Sequence, residues 1–590
     1  MLQPRLLRRK RRPFAQKLTY RQKFARLAQR LHQPEWRRYG MQLLLGKFLG
    51  LAAVIILVLA IFPGAGATFK ALLGGRPAHA QASAPAASVS PAPATAPDAP
   101  PDPSKTPVMA SDLSDMVKNP VINPLNTSWV LLGAFLVFGM QAGFTMLEAG
   151  FCRNRETVNV LVECVFDTCV CGLLHWAWGF AFMFGEGNAF VGWHALGHPE
   201  QSYIFMSGVN VWSTYTTTGV PVFAHYLFQF AFADCASTIC SGAMVGRTRF
   251  IGDVIYSIGV SGFIYPIFGH WCWGPDGFLA TMGTQGHFLA SLGMNFHDFA
   301  GSTVVHSIGG WVAIAGALCL GPRLGRKFKR DGGGPMMPHD LTIAVVGGLI
   351  LWFGWYGFNP CSTLSIMDNA GVGRVAMNTT LAACCGGIAA EFMMFFMIKK
   401  WDTAAIVNGF LAGLVAITCP CYWVSDVGSC ILGAVAGILV ILAMELLEYL
   451  RIDDPVGAWP VHGVCGIWGT ISLGLFASGD YSAAGSSPTG IPVVVHGSAD
   501  ALTGLFYGGG MKVLVAQCIG SAIVCTATFL SAWIMFKALG AINILRVSKA
   551  GELEGLDIDQ HGISAYPEYV ISSLGPTATA HERIEEVKAR

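Results

Sequence analysis

Charge is what this sequence has least of. Of its 590 residues only 12% are Asp, Glu, Lys or Arg, about half the share found in soluble globular domains. So few charges cannot cover a solvated surface of the size a 590-residue soluble protein needs. Metal-cluster spacing is missing too. Cysteine is plentiful at 17 residues, yet no Cys-x-x-Cys pair occurs, which removes the usual zinc frameworks. The Cys-x-x-Cys-His signature is likewise absent, which weighs against a membrane redox enzyme with covalently attached haem. Most cysteines, among them Cys384, Cys385 and Cys518, sit inside apolar runs, where the thiol packs as a small hydrophobe.

What is present points to a bilayer. Hydrophobic residues make up 53% of the chain, and glycine is abundant at 71 residues, which suits closely packed membrane helices. Apolar runs long enough to cross roughly 30 Å of hydrocarbon recur along the sequence. The spacing predicts an integral membrane protein.

The net charge of +3 conceals an asymmetry. Residues 1–40 contain thirteen Lys/Arg and one acid, Glu35. That arm is +12, so the rest of the chain is −9. Beside a membrane, such an arm favours anionic lipid over nucleic acid. An apolar run follows in residues 41–63, then a Pro/Ala/Ser-rich tract reaching residue 125. The Ala78-His79-Ala80 triplet resembles a signal-peptidase site. The leading run is therefore either a cleaved signal peptide, with Met41 as a possible start, or an uncleaved anchor. The tract has too little apolar content to fold and reads as a disordered linker.

Residues 126–545 form the expected membrane core, and 546–590 a polar tail. The core contains eleven predicted spans, centred in 127–149, 158–184, 220–243, 250–273, 299–320, 341–359, 375–398, 406–424, 429–449, 459–477 and 513–539. Loops after the odd spans one to nine hold twelve Lys/Arg, from Arg153 to Arg451, whereas the alternate loops hold only Arg374 and Lys512. The positive-inside rule makes the first set cytoplasmic. The core then begins outside and ends inside.

Spans five and ten carry a repeat. Each has an Asp eight residues before a His in a Val-His pair: Asp298 with His306, and Asp454 with His462. Eight helical residues rise about 12 Å, which brings each His near the midplane of the bilayer. By topology one motif enters from outside and the other from the cytoplasm, so the spans fall into inverted five-span halves with a site at midplane. Paired intramembrane histidines favour function over packing, because ionisable groups there are costly. The aspartates also suit ordinary helix N-capping.

At these residues the sequence resembles the ammonium transporter (Amt/Mep/Rh) family, Amt type. The resemblance rests on WVLLGAFLVFGMQAGFTMLEAGF (Trp129–Phe151), DFAGSTVVH, GWYGFN (Gly354–Asn359), DDPVG…VHGVCGIWG and EGLDIDQHGISAY (Glu554–Tyr566). It implies an all-α polytopic membrane protein, an eleven-span core of inverted five-span repeats, here with one N-terminal hydrophobic segment added. It also implies a homotrimer in the cell membrane, one pore per subunit, with no cofactor or enzymatic step. By the same resemblance Phe228, Trp273 and Ser362 bind ammonium at the outer mouth. Phe232 and Phe358 stack beneath them, His306 and His462 line the pore, and Asp298 supports the vestibule. The tail would pack beneath the trimer and help a PII-type regulator plug the pore. Close alternatives are a Rh-type gas channel, which Trp273 argues against, and an ammonium sensor, although no kinase-like or cyclase-like sequence follows Tyr566.

The residues themselves permit these roles. Phe228 and Phe232 are four apart on one helical face, and aromatic faces with a hydroxyl suit a small cation bearing N–H donors. Blander roles fit as well: Trp at a span end anchors at the interface, and Phe within a span packs.

Overall fold

The computed structural model describes residues 122–481 and 501–566, apart from residues 212 and 216–218. The basic arm, the leading apolar run, nearly all of the linker and the end of the tail lie outside the described residues. Every predicted span coincides with a helix: α1 (Ile122–Phe151), α2 (Asn154–Phe184), α3 (Val222–Gly242), α4 (Phe250–Trp273) and α5 (Ser302–Leu320). Then come α6 (Leu341–Phe358), α7 (Asn369–Ile398), α8 (Thr403–Ile417) and α9 (Asp426–Leu450). The last two are α10, in which Trp459–Val464 runs into Cys465–Phe476, and α11 (Lys512–Ala541). Eight helices among the described residues are long and apolar enough to cross a membrane. The other three expected spans are α3, α8 and α10. Helix α8 has only 15 residues, and α3 interleaves His225, Gln229 and Asp234 with its apolar positions.

Helix starts follow capping chemistry. Asp340, Asp368, Asp402 and Ser425 accept backbone N–H bonds at the openings of α6, α7, α8 and α9, satisfying amides the helix cannot pair itself. Packing then obeys the two-halves pattern. Helix α1 lies against α6, and α5 against α10, while α3 packs on α5 as α8 packs on α10. Helix α5 is the centre of the bundle: 83% of its most apolar stretch is buried, against 28% for α7.

The crossing of α5 with α10 depends on glycine. A Cβ on Gly310 would lie 2.2 Å from the Gly463 amide nitrogen, and one on Gly466 would lie 2.5 Å from the Ser302 carbonyl oxygen. Both clashes are with backbone, so neither helix can yield by turning a side chain. Small residues at such crossings let membrane helices approach closely.

One face of the bundle gathers the charged loops. There Arg323 grips Asp453 through its Nε and one terminal nitrogen at 2.9 and 3.0 Å. Fully buried Arg247 donates to the carbonyls of Asp453, Gly321 and Val245. The tail docks on the same face as two short helices, Lys549–Glu554 and Leu556–His561. Its Asp557 accepts the Asn159 amide at 3.0 Å, and Arg155 donates to the Leu553 carbonyl at 2.7 Å. On the opposite face, Glu186–Asn188, Val191–Ala195 and His198–Ser202 form a small antiparallel meander.

Candidate functional site

The Asp-x-x-Gly repeat builds the same backbone device twice. The Asp298 carboxylate accepts the amides of Gly301, Ser302, Thr303 and Val304 at 2.8–3.0 Å. The Asp454 carboxylate accepts those of Gly457, Ala458 and Trp459 at 2.9–3.0 Å. Gly301 and Gly457 take positive φ values of 114° and 79°, a conformation open to glycine at little cost. Each turn feeds a π-helical turn, Ser302–Ser307 and Trp459–Val464, a widening that recurs at functional sites. The capping reading of both aspartates thus describes what their carboxylates do.

Those π turns deliver the histidines to one another. His306 and His462 approach Nδ1 to Nδ1 at 3.2 Å, with rings stacked at 5.3 Å between centroids. In neutral imidazoles one Nδ1 must donate and the other accept. The two outward Nε2 atoms therefore differ: one is an acceptor, the other a donor. His306 is fully buried, and its Nε2 has no partner among the described residues.

An aromatic column continues from His306. Phe358 stacks on it at 5.3 Å, Phe232 stacks on Phe358 at 4.0 Å, and Phe228 lies 4.7 Å from Phe232. Trp273 meets the edge of Phe232 at 6.3 Å and donates its indole N–H to the Asp298 carbonyl at 2.7 Å. That hydrogen bond fixes the indole plane. Ser362 is buried in the turn after α6 and donates its hydroxyl to the Phe358 carbonyl at 2.7 Å. With its hydrogen committed, Ser362 Oγ retains lone pairs and can act as an acceptor. The eight residues expected at the site are thus connected: Trp273 and Phe228 both adjoin Phe232, which leads through Phe358 and His306 to His462, while Ser362 bonds to the Phe358 carbonyl and Trp273 to that of Asp298.

On the charged face a cavity of about 390 Å³ opens among Arg323, Arg326, Asp453, Asp454 and Met336. It shares Asn408, Val456 and Gly457 with a smaller cavity bounded by His462, Phe144 and Glu148.

Four contributors escaped sequence reasoning. Trp355 stacks on His306 at 5.0 Å and donates to Thr418 Oγ1 at 2.9 Å. Its spacing of three from Phe358 was the available signal, since both project from one helical face. Gly310 and Gly466 each follow their histidine by four residues, a second repeat laid over the first. Glu148 accepts from Ser241 at 2.9 Å, and nothing in its local pattern marks it as lining a cavity.

Membrane-length apolar helices packed as paired halves around a buried histidine pair define a polytopic helical transporter. The chain belongs to the ammonium transporter family: the profile described as Ammonium Transporter Family matches residues 128–566. Ammonium transporter Amt2 of Archaeoglobus fulgidus is 40% identical over 463 residues, covering 77% of this chain and 90% of its own. Ammonium transporter 1 member 3 of Solanum lycopersicum is 35% identical, covering 76% and 94%. Among solved structures, one titled Sensor Amt Protein is similar at a TM-score of 0.62 and 32% identity, covering 75% of this chain and 99% of its own. Mep2 of Saccharomyces cerevisiae follows at 0.61 and 26%, covering 73% and 89%. The Archaeoglobus fulgidus and Solanum lycopersicum relatives bear the names of transporters, not of enzymes.

Proposed function

We propose that this protein captures ammonium at Phe228, Trp273 and Ser362, removes its proton, and passes ammonia between Phe232 and Phe358 to His306 and His462. The observation that carries the reading is the 3.2 Å contact between the two histidines at the end of a stacked aromatic column. Ammonium and potassium are close in size, and cation–π attraction acts on both. Ammonium alone can give up a proton. A bare cation entering a dry lane costs several kcal/mol even after relaxation, whereas neutral ammonia enters at far less cost. At the mouth, Ser362 accepts an N–H while the indole face of Trp273 attracts the charge. Beyond it, an imidazole pair offers one donor and one acceptor in an otherwise apolar lane.

In this reading the charged face is cytoplasmic, by the positive-inside rule. The protein sits in the cell membrane as a homotrimer, and the docked tail Glu554–Tyr566 is where a PII-type regulator would act. A second reading, ammonium sensing, draws its support from the likeness to the structure titled Sensor Amt Protein.

The outer site is tested by Trp273→Leu. Loss of a desolvated cation–π contact of about 2 kcal/mol weakens capture roughly thirtyfold. Uptake into proteoliposomes should fall most at limiting ammonium and recover near saturation. Unchanged uptake at limiting ammonium would remove Trp273 from the site.

A further inference from the structure

The outer end of α1 packs on two of the three elements that carry the mouth. Asn126, Trp129 and Gly133 follow one another at intervals of three and four, which sets them on one helical face. The turn after α6, residues 360–366, lies against that face. The Asn126 side-chain oxygen accepts the Ser365 hydroxyl at 2.9 Å and the Ile366 amide at 3.2 Å. The Trp129 indole N–H donates to Thr363 Oγ1 at 3.0 Å. Ser362 is the next residue back along this turn.

Gly133 is where the face comes closest. A Cβ there would lie 2.4 Å from Cys361 Cβ, 3.0 Å from Cys361 Sγ and 2.8 Å from Phe228 Cε2. From α6, a Cβ on Gly357 would lie 2.8 Å from the Gly133 carbonyl oxygen. Phe228 is itself a residue of the mouth, Cys361 precedes Ser362, and Gly357 precedes Phe358. One glycine backbone thus meets α3, α6 and the turn at once.

Nothing in the conformation of Gly133 itself calls for glycine. It is buried in a regular helix and is not among the glycines with positive φ. On backbone grounds alone alanine would serve the helix better. The missing side chain matters for approach. Ordinary van der Waals contact begins near 3.4 Å, so the Cys361 Cβ stands about an ångström too close for a methyl group to enter. A binding site works only when its groups are held to within about 0.5 Å.

We propose that the Asn126–Trp129–Gly133 face of α1 is a positioning element for the ammonium site, with Gly133 setting its affinity. The proposal rests on the reading that Phe228, Trp273 and Ser362 capture ammonium. The α1 residues act through Phe228 and Ser362 rather than by meeting the ion.

The test measures initial ammonium uptake against concentration in proteoliposomes of the full chain, which separates KM from maximal rate. Gly133→Ala should raise KM about tenfold and leave the maximal rate within about twofold, the mark of a change in binding alone. Gly143→Ala is the control for packing. Its Cβ would meet the Gly347 carbonyl oxygen and Leu351 Cγ at 2.9 Å, in the same α1–α6 contact about 15 Å further along the helix. It should also lower the melting temperature, while KM stays within about twofold of the parent. Adding Cys361→Gly to Gly133→Ala removes two of the three obstructing atoms and should bring KM back by at least about threefold. A parent-like KM in folded Gly133→Ala, an equal rise in Gly143→Ala, or no recovery in the double variant overturns the proposal. If Gly133→Ala does not fold, Trp129→Phe decides. Its chief loss is the Thr363 bond, so KM should rise about threefold, and a parent-like KM overturns the positioning role. Trp273→Leu keeps the two readings apart. Unchanged uptake at limiting ammonium there defeats the outer site itself. Weakened capture in Trp273→Leu beside a parent-like Gly133→Ala defeats only the positioning role.

Discussion

The two copies of the Asp-x7-His motif share a backbone but not an environment. Asp298 closes its turn with four amides and Asp454 with three, and each His sits in a π turn. Around His306 the neighbours are Trp355, Phe358 and apolar bundle. Around His462 they are Phe144, Val461 and a small cavity that Glu148 and Asn408 also line. The repeat supplies the geometry, and the surroundings supply the polarity. His306 sits among aromatic rings, and His462 borders a cavity with polar walls.

The largest effect should come from removing both histidines. His306→Leu combined with His462→Leu leaves no polar group in the lane, and nitrogen flux should fall at least about a hundredfold, equivalent to roughly 2.8 kcal/mol of added barrier. Single Asp substitutions sharpen the comparison. Each places a fixed acceptor in the lane that can hold a cation, so potassium should begin to cross. His462→Asp, beside the cavity, should leak more potassium than His306→Asp. Paired ammonium and potassium fluxes decide this, and equal leaks would mean that the two surroundings do not matter.

Next in size is the crossing that brings the histidines together. Gly310→Ala drives a Cβ to 2.2 Å from the Gly463 nitrogen, and Gly466→Ala to 2.5 Å from the Ser302 oxygen. Overpacking of this kind costs about 1–3 kcal/mol. Both variants should unfold at lower temperature in detergent, Gly310→Ala by more. A melting temperature equal to that of the parent would show that α5 and α10 do not cross as closely as described.

Of the candidate site, the histidine pair was legible from spacing, because an eight-residue interval recurs with the same residues at both ends. Phe228, Trp273, Ser362, Phe232 and Phe358 were expected from the family resemblance, and the four-residue spacing of Phe228 and Phe232 only places them on one helical face. Trp355 shares a helical face with Phe358, three residues on, but its stack on His306 joins α6 to α5, and an interval within α6 does not specify that meeting. Ser362 was expected as a hydroxyl in the mouth, but that its hydrogen is spent on Phe358 depends on the turn after α6. Span positions followed from hydropathy, whereas α3 and α8 fell short of the measure because one is interrupted by polar residues and the other is short.

A smaller effect should separate the two caps. Asp298→Ala and Asp454→Ala each remove a capping side chain, for about 0.5–2 kcal/mol, and both should lower the melting temperature. Only the Asp298 turn also holds the Trp273 indole, through the backbone carbonyl of Asp298. Asp298→Ala, by loosening the turn that carries this carbonyl, should therefore weaken uptake at limiting ammonium as well, whereas Asp454→Ala should leave it unchanged once folding is matched. Equal uptake in the two would confine Asp298 to capping.

The smallest expected effect lies one residue earlier in each repeat, where the halves diverge outright. The first has His297, whose amide donates to Gln517 and whose carbonyl accepts from it. The second has Asp453, gripped by Arg323 and joined by Arg326 at 3.4 Å. Burial alone would raise the Asp453 carboxyl, but the Arg323 hydrogen bonds and the charges of Arg247 and Arg323 outweigh it and hold the group well below the usual carboxylate range. A carboxyl depressed on folding contributes stability that is fully present above its unfolded value of about 3.9 and is lost as pH falls toward the folded one. Acidification from neutrality to about pH 5 should thus leave the clamp intact, and further acidification below about pH 4 should loosen the charged face. Hydrogen exchange at residues 321–330, compared between these two conditions, reads this directly. Asp453→Asn should show the loosened pattern already at neutral pH and lose the acid dependence. Protection at 321–330 that is the same in parent and variant at every pH would mean the Arg323 grip contributes nothing to holding that loop.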